Sequence, residues 1–449
     1  MTPTFTPLAG IASYSDAARV GFSVDENVRR LLRFHWAERR LMGILVAHLT
    51  SEPVWEVKCA LALHQWQSAE HVDALRRRIA EMRNPVPPLD ALPDDDPTAQ
   101  ALDDFLDQVD AARDTDELVA GVYGVLCPAL AAAYRDHIER TNALVDYPTR
   151  RVLRFALIDI EEAIEQSVEG GGQKVGRWCE HLRAYLAAAG GIAGDANVEM
   201  VDRTLHPPRT PLHSFHPRRD GRFVGQYNFE FAPHLVYNMP DVPADERNLA
   251  LICKRALEMD VPEMMASFMT ERTDQPWEFY RDYSRQLWDE ARHAMMGTVA
   301  LEARGIDWKV DIPLNISFAL RLNLHATPIE RQIILYAIEQ SLMPGETGKR
   351  FEYETAVAAG DALSAHFHDY DWADEVLHAQ LGRRALKREG ISSDEARERA
   401  TEIHETTWAA LDQYRSLGEQ HDWWPEFVRR VLGKESAARG RPALNIFSE

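Results

Sequence analysis

The sequence predicts an all-α fold: two four-helix bundles in tandem, joined by a long linker. Three observations carry this. Long segments place apolar residues at three- and four-residue spacing, and strand-like alternation is scarce; residues 221–231 (GRFVGQYNFEF) are the convincing instance. The chain has 449 residues, two to three times a usual domain, so one core is too few. The two halves also repeat one another.

The repetition runs in order along both halves. Asp25-Glu26-Asn27 opens a helical pattern that reaches Glu38 thirteen residues later, and Asp245-Glu246-Arg247 opens one that reaches Glu258 after the same interval. Pro53-x-Trp55-Glu56 leads to Trp66 and His71, as Pro276-Trp277-Glu278 leads to Trp288 and His293, with both Trp–Trp spacings equal to eleven. Leu126-Cys127-Pro128 parallels Leu342-Met343-Pro344, and Glu161-Glu162-x-x-Glu165 parallels Asp374-Glu375-x-x-His378. Four matches in one order indicate an old duplication.

Two stretches punctuate the pattern. Residues 84–98 (NPVPPLDALPDDDPT) read as an exposed loop, because proline cannot donate in a helix and clustered acids repel. The larger boundary runs over about 187–222, where Gly190, Gly191 and Gly194 precede HPPRTPLHSFHPRRDG. The expected domains are therefore 1–188 and 229–449, with 189–228 as linker or arm.

Composition narrows the class of function. Hydrophobic residues at 45% and charged residues at 27% are ordinary for a globular protein. The first ten residues lack a basic start and apolar stretch, and no apolar run reaches eighteen residues, so the expectation is a cytoplasmic protein without a membrane partner. Cys59, Cys127, Cys179 and Cys253 lie far apart with no CxxC, which suggests neither a disulfide framework nor a thiolate zinc site. A net charge of −21 repels phosphate backbones and argues against a general nucleic-acid binder.

The chemistry is carried by two ExxH motifs, Glu290-Ala291-Arg292-His293 and Glu375-Val376-Leu377-His378. At i and i+3 the carboxylate and the imidazole share one helix face and can reach the same cation. One such motif is weak, but two on separate helices, each preceded by a helix with an apolar-face Glu, resemble the ferritin-like di-iron carboxylate superfamily. Its bundle cores use two lone Glu and two ExxH pairs. The segments DEARH and DExxHxxxG look like those of bacterial ferritin-like proteins, and the resemblance covers roughly 244–390.

The lone carboxylates are chosen by depth. With the first hairpin turn at 273–275, Glu290 lies fourteen residues into its helix, or about 21 Å at 1.5 Å per residue. Fourteen residues back from Arg272 is Glu258, on a face with Val261, Met265 and Met269; Glu263 is the runner-up. In the second hairpin Ala358-Ala359-Gly360 is the turn and Asp361 the N-cap, and Glu346 matches the depth of Glu375 better than Glu339 does. The resemblance thus implies metal ligands at Glu258, Glu290, His293, Glu346, Glu375 and His378. The first half departs from the pattern, with Ser68, Leu130 and Glu165 at the positions of Glu290, Glu346 and His378, and keeps only Glu38, His71 and Glu162. It reads as a degenerate ferritin-like domain. Trp66 and Trp288 read as core, as do Tyr336 and Tyr353, while His366 and His368 read as surface or supporting residues. The GETGK stretch at 345–349 lacks phosphate-loop spacing, and Gly170-Gly171-Gly172 is a turn.

Four carboxylates nearly balance two divalent ions, and an oxygen-rich set with two imidazoles suits two Fe2+ ions, with manganese as the alternative. The expected function is an oxygen-activating non-haem di-iron oxidase or oxygenase acting on a small organic substrate. No flavin or iron–sulfur motif occurs, so an external electron donor is implied. The competing class is a ferritin-like metal carrier or an interaction protein without turnover. A homodimer is compatible with either.

Overall fold

A computed structural model describes residues 5–92, 96, 98–167, 173–230, 233–344 and 348–438. Every regular element among the described residues is helical, as the three- and four-residue apolar spacing requires. The chain divides into two compact units, Met1–Leu45 with Leu63–His213, and Val46–Ala62 with Ser214–Glu449. Of the predicted linker, residues 189–213 group with the first unit and 214–228 with the second; the turn at 50–54 groups with the second.

The first half of the chain forms α1 (Tyr14–Ala17), α2 (Val24–Leu49), α3 (Trp55–Met82), α4 (Ala99–Asp110), α5 (Thr115–Gly121), α6 (Cys127–Arg140), α7 (Tyr147–Gln166) and α8 (Gln173–Ala188). Asp114 caps α5 by accepting from the Glu117 N–H. A π-turn, Val122–Leu126, links α5 to α6 without a break. The continuous run Thr115–Arg140 is long and apolar enough to cross a membrane; most of it is buried in the unit's core, with Leu118, Val122, Leu126 and Leu130 almost fully enclosed. The described part of the Pro/Asp stretch is irregular, and Gly170-Gly171-Gly172 lies outside the described residues.

The first unit holds one buried acid–base relay. Glu38 on α2 is fully buried, receives the Tyr134 hydroxyl at 2.8 Å and faces His71 Nδ1 at 3.1 Å. His71 Nε2 faces Asp159 on α7 at 3.0 Å. Burial alone would lower the His71 pKa, but the Glu38 carboxylate and then Asp159 outweigh it and push the imidazole up to about 9. Glu162 and Glu165 are exposed, and Ser68 and Leu130 are buried.

The second half forms α9 (Ala244–Leu257), α10 (Asp260–Glu271), α11 (Trp277–Glu302), α12 (Trp308–Asp311), α13 (Ser317–His325), α14 (Pro328–Ser341), α15 (Lys349–Ala358), α16 (Ala362–Arg388), α17 (Ser393–Ala409) and α18 (Trp424–Leu432). Thr327 and Glu330 make a capping box on α14, and Asp361 caps α16 from the position the sequence indicates. Tyr336 on α14 gives its hydroxyl to a hydrogen bond with Ser393 at 2.7 Å. The alternating segment 221–231 is no strand over its described residues. Phe223 packs between Trp55 and Trp308, and Phe229 joins Ile316, Leu320 and Leu411, so side chains pin it and no ladder forms. Gly225 turns at φ +64° with Pro313 where a Cβ would sit.

Two features fix where α9 ends and how closely it lies against α11. The helix stops at Glu258 and restarts at Asp260, because Pro262 lacks an N–H and its ring crowds the carbonyl four residues back, that of Glu258. Against α9 lies Gly297 of α11, where a Cβ would stand 2.3 Å from Ala256 N and 2.7 Å from the Arg255 carbonyl carbon.

Two outcomes are expected. Gly297→Ala must force α9 off α11 and should cost about 3 kcal/mol, read as a drop in the denaturant midpoint. Because the folded His71 pKa is raised from 6.5 to about 9, its contribution is complete below pH 6.5 and is lost as pH rises through 9. It is worth on the order of 3 kcal/mol. Denaturant midpoints measured from pH 6 to 10 should fall for the unaltered chain, and His71→Gln should flatten that slope.

Candidate metal centre

Helices α11, α14, α15 and α16 bring together a cluster of ionisable side chains in the second unit. Glu290, Glu339, Glu375 and His378 each present a ligand atom, all within 4.8 Å of one another and all buried. His378 Nδ1 lies 3.1 Å from Glu290, 3.2 Å from Glu375 and 4.0 Å from Glu339. Glu339 Oε1 also accepts from the Gln286 amide at 2.9 Å. A second group, His293, Asp371 and Glu375, shares Glu375 with the first; a third joins Glu352, His368 and Asp371. His293 Nδ1 is 3.2 Å from Asp371 and 3.7 Å from Glu290.

Both imidazoles are backed by an outer aspartate, and the backing is crossed. His293 on α11 turns Nε2 to Asp374 on α16 at 3.2 Å, and His378 on α16 turns Nε2 to Asp289 on α11 at 3.3 Å. Each aspartate directly precedes the glutamate of its own motif, so Asp289-Glu290-x-x-His293 and Asp374-Glu375-x-x-His378 orient each other's histidine. A carboxylate behind a histidine fixes the ring and raises its basicity toward a cation. Arg292 ties the two aspartates together at 2.5 and 2.8 Å.

The charges are set by these neighbours. Burial would lower the His293 pKa, but Asp371, then Asp374 and Glu290, push it up to about 10, and His378 is raised by Asp289, Glu290 and Glu375. Burial and the Glu375 charge would raise Glu290, yet His293 and His378 hold it at about 2. Glu339 goes the other way, raised by burial and by the charges of Glu375 and Glu290. Glu290 Oε1, Glu339 Oε2 and His293 Nδ1 are buried without a well-directed hydrogen bond, although Glu290 Oε1 lies 3.1 Å from His378 Nδ1 and His293 Nδ1 lies 3.2 Å from Asp371. Such atoms are costly unless a further cation takes them up, so the donor set fits a metal ion.

The remaining candidates fall elsewhere. Glu258, at the break after α9, is held by Arg255 at 2.8 and 2.9 Å and belongs to none of these groups. The depth argument for it assumed an unbroken helix, and the Pro262 break removes that register. Glu263 is fully buried between Lys58 and Arg219, which consume its carboxylate. Glu346 lies outside the described residues. Of the two carboxylates weighed before α16, it is Glu339 that stands beside Glu290, Glu375 and His378. His366 is exposed, while His368 is buried 3.7 Å from Glu352.

Sequence reasoning passed over Asp289, Asp374, Asp371 and Lys349. The first two had a signal, the Asp-Glu dipeptide repeated in both motifs. Asp371 lies one turn before Glu375 on the same helix face, as i and i+4 spacing allows. Lys349, which meets Asp371 at 3.0 Å and Glu375 at 2.8 Å, had none.

Asp289→Asn, behind His378, should weaken metal binding by about 10–100-fold without unfolding the helices, measured by titration with Mn(II). Neighbouring charges raise both Glu339 and His378, so metal binding there should release protons, read as a buffer-dependent heat. Comparison of the chain with protein-family models, with curated proteins and with solved structures finds no match, so the assignment of this centre rests on its donor geometry.

Proposed function

We propose that the second unit is an oxygen-dependent oxidoreductase that binds iron, with manganese the alternative, and oxidises a small organic substrate. The observation that carries this is the convergence of Glu290, Glu339, Glu375 and His378 in a buried helical core, with Glu290 Oε1 and Glu339 Oε2 lacking a well-directed hydrogen bond. Three carboxylates and one imidazole make a hard, oxygen-rich set suited to Fe2+ or Mn2+. Four protein ligands leave positions open for exogenous molecules. A bound metal of this kind supplies Lewis-acid and one-electron chemistry. The chain supplies the rest: Gln286 fixes Glu339, Asp289 orients His378, and burial keeps water from the donor set.

The same donor pattern supports a ferritin-like reading, with two tandem four-helix bundles of which the first has lost its ligands. Ser68 and Leu130 stand where the second half has Glu290 and the segment around Glu346, and Glu38 and His71 satisfy each other. The electrons for turnover come from an external donor.

The test is dioxygen uptake by the anaerobically Fe2+-loaded protein. Uptake should exceed that of free iron at equal concentration and should fall at least tenfold in Glu339→Ala and His378→Ala. Tight metal binding with no uptake above the control makes the protein a carrier and overturns the oxidase reading.

A further inference from the structure

We infer that Lys349 is a built-in cation at the second half of this centre, so that the resting protein takes up one metal ion, in the Glu290–Glu339–Glu375–His378 pocket, and not two. This rests on the metal-binding reading above.

The two halves of the cluster differ in what already neutralises them. Among the described residues, no Lys or Arg lies within ion-pair distance of Glu290 or Glu339; their ion-pair neighbours are the imidazoles of His293 and His378. The half formed by His293, Asp371 and Glu375 is crowded with fixed positive charge. Lys349 Nζ stands 2.8 Å from Glu375 Oε1 and 3.0 Å from Asp371 Oδ1, bridging the two carboxylates that would hold a second ion. Arg255 takes Asp371 through both guanidinium ends and reaches Glu352 at 2.6 Å. Lys254 adds a further contact to Glu352 at 2.5 Å.

An ammonium is a compact point charge with three donors, the side chain best able to sit where a metal ion would. It is also held there. Lys349 is 1% exposed and opens α15, where its backbone N–H donates to Leu342 O at 3.0 Å and the Gly348 N–H donates to Pro344 O at 2.9 Å. A Cβ on Gly348 would stand 2.0 Å from Leu342 O, so the chain before the lysine passes too close for any other residue. A divalent ion entering between Asp371 and Glu375 would meet this ammonium at contact distance, with Arg255 behind it, in a site without solvent to screen the repulsion. Glu290 and Glu339 of the first pocket face no such ammonium among the described residues, and Glu290 Oε1 and Glu339 Oε2 lack a well-directed hydrogen bond.

The experiment is metal stoichiometry and Mn(II) electron paramagnetic resonance on the full chain, reconstituted anaerobically with Mn(II). The unaltered protein should bind one ion per chain and show an isolated, uncoupled Mn(II) signal. Lys349→Met should bind two and show a spin-coupled pair, and Lys349→Arg, which keeps the charge, should bind one. His378→Ala should bind none. Two ions in the unaltered chain, or one in Lys349→Met, overturns the assignment of Lys349. No ion in any variant brings down the metal-binding reading itself, a distinguishable failure. Should Lys349→Met be unfolded without metal, recovery by two equivalents of Mn(II) supports the inference, and no recovery overturns it.

Discussion

Burying carboxylates in a helical core sets the terms for everything else in the second unit. A buried carboxylate without a partner is costly by several kcal/mol, so each must find a cation, a proton or, as Glu246 does with Trp424, Ser436 and the Ala437 N–H, a set of neutral donors. Glu258 finds Arg255, Glu263 finds Lys58 and Arg219, Glu352 finds Lys254 and Arg255, and Asp371 finds Lys349 and Arg255. Glu290 and Glu375 find imidazolium rings, and Glu375 the lysine as well. Glu339 has no fixed cation beside it, and burial with the charges of Glu375 and Glu290 raises its pKa. The cluster is thus an ion-pair network with one under-compensated corner, and the proposed metal site lies there.

The same constraint has a different solution in the first unit. Glu38, His71, Asp159 and Tyr134 close on one another, with both ring nitrogens of the histidine facing carboxylates. Where the centre of the second unit gathers two imidazoles and several acids, this relay holds one imidazole between two carboxylates. Ser68 and Glu165, which the sequence reading sets against Glu290 and His378, are buried and exposed respectively, so neither adds a donor to this group, though Glu38 Oε2 is left without a directed hydrogen bond.

Much of this could be read from the chain. Helical periodicity gave the long helices, Asp361 marked the start of α16, and the two ExxH motifs identified four of the residues that line the centre. The lone carboxylates were harder, because depth along a hairpin is a sound guide only while the helix is continuous. Pro262 is visible in the sequence, but its effect, ending α9 at Glu258, depends on where the helix begins to strain. Glu263 and Glu339 are indistinguishable as single letters; what separates them is the distant Lys58 and Arg219, brought to Glu263 by tertiary packing. For the same reason Lys349 could not be foreseen. Residues 221–231 misled in another way, since alternation reports alternate burial, and aromatic anchors in an irregular segment produce it as well as a strand does.

The crossed pairing of motif aspartates with motif histidines has a consequence for solvent access. Asp289, behind His378, is itself fully buried, whereas Asp374, behind His293, keeps 15% of its side chain exposed. The two rings look equivalent from the centre but not from outside. His293 is one hydrogen bond from a partly exposed carboxylate, while His378 meets a sealed carboxylate clamped by Arg285 and Arg292. Solvent thus reaches the centre's outer shell on the Asp374 side, and the His378 side is the insulated end.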